Sequence, residues 1–338
     1  MTDDSEQVAD LFSKNYPHCG KISKIWQPDS TASCSNTHYF IETSDELFFL
    51  KQLADPDALF QGDGSTRLDT VCHATAAFAR GELPVEVIVP NATKQLLTDR
   101  NGVICRVYKA IDGRQTEDTV ADLESAAFAI GEFHRNAVGL LDSFLLKKLK
   151  GLKAPYPLTE TKNKYDQIKE FIRTYPNDAP FYVSYEALIE ELNFLDKCLA
   201  KINNLDDNSA LDQPVHLDFH PDNVLFLKSG KATIIDFDNM MCGPVIKCTA
   251  FSVLRFAWMK QKDQSLSRLD HVLNHWQSGY QGDQSSDWQS SVRDWMIYLE
   301  VEKVLRIVYR HWKTDAYGQF LENVTSRHIP NLKTLLNS

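Results

Sequence analysis

One stretch of this sequence gathers side chains that do chemistry: His216, Asp218, Asn223, Asp236 and Asp238. Two apolar, β-prone runs, 224–227 and 232–235, flank Lys228-Ser229-Gly230-Lys231, a turn of hairpin length. A hairpin brings its outer ends together, so an amide oxygen from Asn223 and a carboxylate from Asp236 converge, with Asp238 two residues further on. Oxygen donors in that arrangement suit a hard cation such as Mg²⁺, which keeps waters and uses few protein ligands. Asp218 precedes Asn223 by five residues, where a carboxylate can accept a proton from a hydroxyl while the metal holds a phosphoryl group. Singly, Asp218, Asp222 and Asn223 also suit turn capping. The joint pattern of H-x-D-x-x-x-x-N, a hairpin and I-D-F-D is what points to chemistry.

The elements that must position these groups change character along the chain. Residues 4–15 predict a short helix, and strand-like runs follow at 22–26, 38–42 and 47–53. Residues 55–65 read as a loop, 66–80 as a helix stopped by Gly81 and Pro84, and 85–89 and 103–108 as two further strands. From about residue 120 the pattern is helical, with a 3.6-residue apolar stripe over 120–137 and further helices at 162–174, 184–202 and 295–312. The β-rich island 214–237 interrupts it. The expectation is an α+β chain with a β-rich domain over 1–108 and a helix-rich domain over 109–338, joined near Asp112-Gly113.

The motif block resembles the catalytic loop and metal-binding strand of the aminoglycoside phosphotransferase and choline kinase-like superfamily, H-G-D-x-x-x-x-N followed by I-D-[FW]-[DE]. His220-Pro221-Asp222-Asn223-Val224-Leu225 and Gly243-Pro244 further resemble its type II homoserine kinase and stress-response kinase branches. The resemblance implies a bilobal protein kinase-like fold, with a small antiparallel sheet as N-lobe and a mainly helical C-lobe. It implies ATP and Mg²⁺ as cofactors and a small molecule with a hydroxyl as substrate. It implies Asp218 as the catalytic base, Asn223 and Asp236 as metal ligands, Asp238 as a further metal-side carboxylate or its orienter, and His216 as a brace. Lys51, alone in the run Leu47-Phe48-Phe49-Leu50-Lys51, resembles the lysine that contacts the nucleotide phosphates; an edge-strand lysine that discourages aggregation is the bland alternative. Ser35 and Asn36 fall at the phosphate-loop position, and 106–109, with Val107 and Lys109, at the adenine hinge.

Three departures from the family pattern stand out. No Glu occurs in 66–80 to pair with Lys51; only Asp69 and His73 stand near. Cys248 occupies the neighbourhood of a family aspartate, and Leu217 replaces the motif glycine. Alternative functions are a stress-response-type Ser/Thr protein kinase and a catalytically silent nucleotide-binding module. The absence of D-F-G and A-P-E signatures argues against a protein kinase of the eukaryotic kind. Glu300 and Glu302, read as a solvated helix face or as carboxylates for a substrate ammonium, leave the substrate open.

Composition excludes other classes. With 36 basic and 46 acidic residues the net charge is −10, against nucleic-acid binding. No run of 18 apolar residues exists; the stretch 249–259 is broken by Arg255. The acidic start carries no signal-peptide core, and seven cysteines without C-x-x-C spacing predict reduced thiols in a cytoplasmic protein. Nothing in the sequence fixes an oligomeric state.

Overall fold

The computed structural model describes residues 3–28, 36–53, 64–100, 102–152, 162–205, 213–259, 264–281, 285–314 and 317–337. Two compact units emerge: residues 1–153 with 222–241, and residues 154–221 with 242–338.

The first unit opens with α1 (Asp3–Asn15), β1 (Ile22–Trp26), β2 (Asn36–Thr43) and β3 (Leu47–Leu53). It continues through α2 (Gly64–Arg80), β4 (Thr98–Arg100) and β5 (Val103–Lys109). The strands form one antiparallel sheet in the order β1-β2-β3-β5-β4. Side chains alternate across a sheet, so each strand divides its residues between two faces. Val8, Leu11 and Phe12 of α1 pack into one core with Tyr39, Ile41, Leu50 and Val107. The other face carries two cross-strand rows: His38, Lys51 and Arg106 in one, and Trp26, Phe40, Phe49 and Tyr108 in the next. Ring centroids in the second row lie 5.5, 5.4 and 6.4 Å apart in turn.

The same unit adds β6 (Gly113–Arg114), α3 (Val120–Asn136), α4 (Ser143–Gly151), β7 (Val224–Leu227) and β8 (Ala232–Ile234). β7 and β8 form the expected hairpin, with Val224 opposite Ile234. Gly230 closes its turn at φ +82°, a backbone region that glycine enters without steric cost. β6 pairs with the outer edge of β7, Arg114 opposite Phe226. Ser125 of α3 accepts from the Ala232 amide at 3.0 Å and donates to the Gly230 carbonyl at 2.9 Å, fixing the hairpin to the helix.

The mixed α+β class and the five-stranded antiparallel sheet are as expected, but one strand differs. Residues 85–89 form only isolated bridges, Val85 to Ile234 and Ile88 to Tyr108, because Pro84 and Pro90 bound the run and lack ladder donors. The polar Thr98–Arg100 is the fifth strand instead. Within 55–65 the helix already begins at Gly64, and residues 54–63 lie outside the described residues.

The second unit is helical: α5 (Tyr165–Thr174), α6 (Tyr182–Glu190), α7 (Leu192–Lys201), α8 (Val245–Trp258), α9 (Leu266–Tyr280), α10 (Trp288–Thr314) and α11 (Ile329–Leu336). A π-helical turn, Val324–His328, precedes α11. The single helix expected over 184–202 is two, separated at Glu191. α8 and α10 bury Val253, Phe256, Met296 and Val301 among others. Among the described residues no helix is long and apolar enough to cross a membrane.

Candidate active site

The register of the sheet places Lys51 opposite Arg106. Both are buried, and burial of a cation is costly unless a counter-charge meets it. Here two carboxylates do. Lys51 Nζ lies 3.0 Å from Asp236 Oδ1 and 2.7 Å from Asp238 Oδ2. Arg106 grips Asp238 in a bidentate fork, Nη1 to Oδ1 at 2.5 Å and Nη2 to Oδ2 at 2.8 Å. Burial alone would raise the Asp238 carboxyl, but Arg106 and then Lys51 hold it well below the usual carboxylate range. Burial alone would lower the Lys51 ammonium; Asp238 and Asp236 outweigh it, and its pKa is raised.

The hairpin sets the backbone of Asn223 beside that of Asp236. The Ile235 amide donates to the Asn223 carbonyl at 3.0 Å, so Asp236 is next to the rung that Asn223 closes. Asn223 is buried, whereas the Asp236 side chain stays 39% exposed. Asp236 adopts φ +63°, a left-handed conformation uncommon for a residue with a Cβ and frequent at functional sites. Among the described residues no group of three or more His, Cys, Asp or Glu forms a metal cage. An amide oxygen and one open carboxylate fit a cation that completes its shell with water and phosphate.

Asp218 and His216 belong to the second unit. The Asp218 amide donates to His216 Nδ1 at 3.3 Å, and His220 Nε2 lies 3.8 Å from Asp218 Oδ1. His216 is fully buried and the Asp218 side chain is 33% exposed. Leu217, at the family's glycine position, sits at φ +56°, where a side chain costs roughly 1–2 kcal/mol. Ser35 lies outside the described residues. Asn36 opens β2 with its Oδ1 buried and, among the described residues, without a hydrogen-bond partner. At the expected hinge, the Val107 carbonyl accepts from Val89 N at 2.8 Å and the Lys109 amide donates to the Val87 carbonyl at 2.9 Å. Lys109 Nζ is drawn to Glu46 at 2.7 Å on the surface.

Sequence reasoning missed three residues. Arg106 was hidden by its place in the hinge, in a strand that also ends on Lys109. Arg67 of α2 donates from Nε to the Asp238 carbonyl at 3.1 Å and from Nη2 to the Met240 carbonyl at 3.2 Å. The helix that lacks a glutamate thus ties to the site through a cation instead. Glu86 is buried against the Asp236–Phe237 backbone, its Oε1 3.5 Å from the Phe237 amide. Burial, then the Asp236 charge, push its carboxyl up to about 7.

Cys248 lies against the Leu217 and His216 amides, and burial pushes its thiol up to about 11. Cys242 is also buried and forms no disulfide among the described residues, and Cys34 lies outside them. Thiolate chemistry needs a depressed pKa and access. Iodoacetamide on the native protein should label Cys242 and Cys248 slowly by mass spectrometry, with or without Mg-ATP. Rapid, ATP-protected labelling would return a thiol to the site.

The model of the phosphotransferase enzyme family (APH) matches residues 31–266, more than half of the chain. The chain belongs to that family. No curated protein sequence gives a significant match. Solved structures of the fold do. Spectinomycin phosphotransferase APH(9)-Ia, in complex with ADP and spectinomycin, matches at 12% identity over 98% of this chain and 92% of that one, with a TM-score of 0.59. Amicoumacin kinase hAmiN, in complex with AMP-PNP and Ca²⁺, matches at 13% over 96% and 94%, TM-score 0.61. The choline kinase LicA from Streptococcus pneumoniae matches at 15% over 98% and 100%, TM-score 0.56. This phosphotransferase therefore has the protein kinase-like fold anticipated from its motif block, and it is an enzyme of the phosphoryl-transferring kind.

Proposed function

We propose that this phosphotransferase moves the γ-phosphoryl group of ATP, with Mg²⁺, to a hydroxyl of a small molecule. The observation that carries the reading is the convergence of Lys51 on the hairpin that presents Asn223 and Asp236. Asn223 and Asp236 would hold Mg²⁺, which when bound draws charge from the phosphates. Lys51 holds the nucleotide phosphates. Asp238 has both oxygens engaged by Arg106 and Lys51, so its part is to brace that shell. Asp218 takes the hydroxyl proton, and His216 fixes the turn that presents it. Functionally, residues 1–108 serve as the nucleotide lobe and 109–338 as the lobe that carries the catalytic loop and hairpin.

Support for a nucleobase comes from the row Trp26, Phe40, Phe49 and Tyr108, one pair of residues along from Lys51 on the same face. Flat aromatic faces accept a stacked base at little entropic cost. Val107 and Lys109 contribute less than expected, since their inward carbonyl and amide are already paired.

Mg-ATP should raise the melting temperature by mass action, by about 2.7 kcal/mol of stability at a hundred times Kd, and EDTA should reduce that gain. ADP release is then scored against hydroxyl compounds: amino acids, amino alcohols, sugars and aminoglycosides. Absence of ATP binding at millimolar levels in calorimetry would sink the proposal.

A further inference from the structure

The helical unit carries charges that the proposed reaction has not used. Arg255 sits on α8, Lys303 on α10 and Arg327 on the π-helical turn. Each is partly buried. Among the described residues none of the three forms an ion pair. The acidic groups around them are engaged elsewhere. Glu300 takes His328 Nδ1 at 2.7 Å, and Glu302 takes Arg306 at 3.2 Å. Both glutamates are buried, which removes them as a solvated face and as free partners for a substrate ammonium.

Geometry puts Arg255 beside the Asp218 loop, and Lys303 and Arg327 are gathered about Arg255. The Cys248 sulfur lies against the Leu217 and His216 amides, so that face of α8 meets the loop carrying Asp218. Arg255 is two turns further along the same face. Phe219, next to Asp218, and Phe256, next to Arg255, meet in a tilted ring contact with centroids 5.8 Å apart. On α10, Lys303 is one turn from Glu300, whose bond to His328 draws the π-helical turn, and Arg327 with it, onto that helix. π-helical turns are rare and concentrate at functional sites. The electrostatics agree. Burial lowers Arg255, opposed by Glu300 and Asp218 and reinforced by Arg327 and Arg306. Lys303 is pushed down to about 8 by burial, then by Arg306 and Arg255.

Like charges gathered in a partly buried place weaken a fold, and a purely structural network would have paired them. We infer that Arg255, Lys303 and Arg327 form an anion subsite next to Asp218, so that the hydroxyl compound phosphorylated carries a carboxylate or a phosphoryl group. The inference rests on the phosphotransferase reading above and narrows it. Hydroxy acids, hydroxylated amino acids and phosphorylated alcohols fit; a cationic amino alcohol without an acid group does not.

The test titrates inorganic phosphate and, separately, acetate at constant ionic strength, with chloride as control, and reads the melting temperature. Saturating Mg-AMP-PNP fills the nucleotide's own phosphate positions. A saturable rise is expected for at least one anion, and which anion responds names the group. Arg255→Gln and Lys303→Gln should each weaken apparent anion affinity at least tenfold, while Arg255→Lys retains most of it. Lys303→Gln removes a partly buried charge beside two arginines, so it should keep or raise its own melting temperature and remains informative if Arg255→Gln folds poorly. No saturable rise with either anion, or undiminished affinity in both neutral variants, overturns the subsite. Failure of the kinase reading shows differently, as no Mg-AMP-PNP binding, and the anion titration decides the subsite in either case.

Discussion

Asp218→Ala should lower turnover by about 10²–10⁴-fold while leaving the Mg-ATP thermal shift unchanged. A base acts only as the proton moves, so its removal affects the transition state and spares the ground-state complex. The side chain is open enough to meet a substrate, and its backbone is set by His216. The expected split is therefore a fall in kcat with little change in KM for ATP. Asp236→Ala gives the opposite signature, because loss of a metal-side carboxylate weakens nucleotide binding as well as turnover. Near-full turnover of Asp218→Ala on the true substrate would remove it from the base role.

Arg106→Leu should cost about 3–5 kcal/mol of stability, since it leaves Asp238 buried with one of its two cations missing. The effect reaches function as well. Freed from Arg106, Asp238 no longer holds Lys51 in one place, so ATP affinity falls even in molecules that remain folded. Arg106→Lys supplies charge without the fork and should recover stability better than affinity. The double variant Arg106→Leu/Asp238→Leu should regain part of the lost stability, because no carboxylate is left without its guanidinium, while Lys51 keeps Asp236 alone as counter-charge. A urea midpoint for Arg106→Leu within experimental error of the parent would show that the fork bears little of the fold.

Much of this was legible in the sequence for a simple reason. Asn223, Asp236 and Asp238 are local to one hairpin, and a two-strand register follows from the turn and the apolar runs beside it. Lys51 was legible as the only charge in its strand. Arg106 was not, because its partner lies 132 residues away and nothing in Val103–Lys109 names it. Glu86 escaped for the same reason: it reaches the Asp236–Phe237 backbone from outside the helix where a carboxylate was sought. Thr98–Arg100 is too short and polar to announce a strand, whereas 85–89 has the right composition and the wrong neighbours in Pro84 and Pro90. Arg255 was visible only as an interruption of an apolar run, and its meaning came from the charges that other helices bring to it.

Trp26 ends the aromatic row beside Phe40, their rings 5.5 Å apart. It is the one tryptophan in the sequence of residues 1–153 and 222–241; Trp258, Trp276, Trp288, Trp295 and Trp312 all fall in the helical unit. The chain therefore comes with its own optical partition. The emission difference between parent and Trp26→Phe isolates the sheet's signal from the helical background, and a base stacking on Phe40 or Phe49 would quench that difference alone. Nucleotide occupancy can then be followed in stopped flow without a label, on the same sample whose helical fluorescence reports the other half of the molecule.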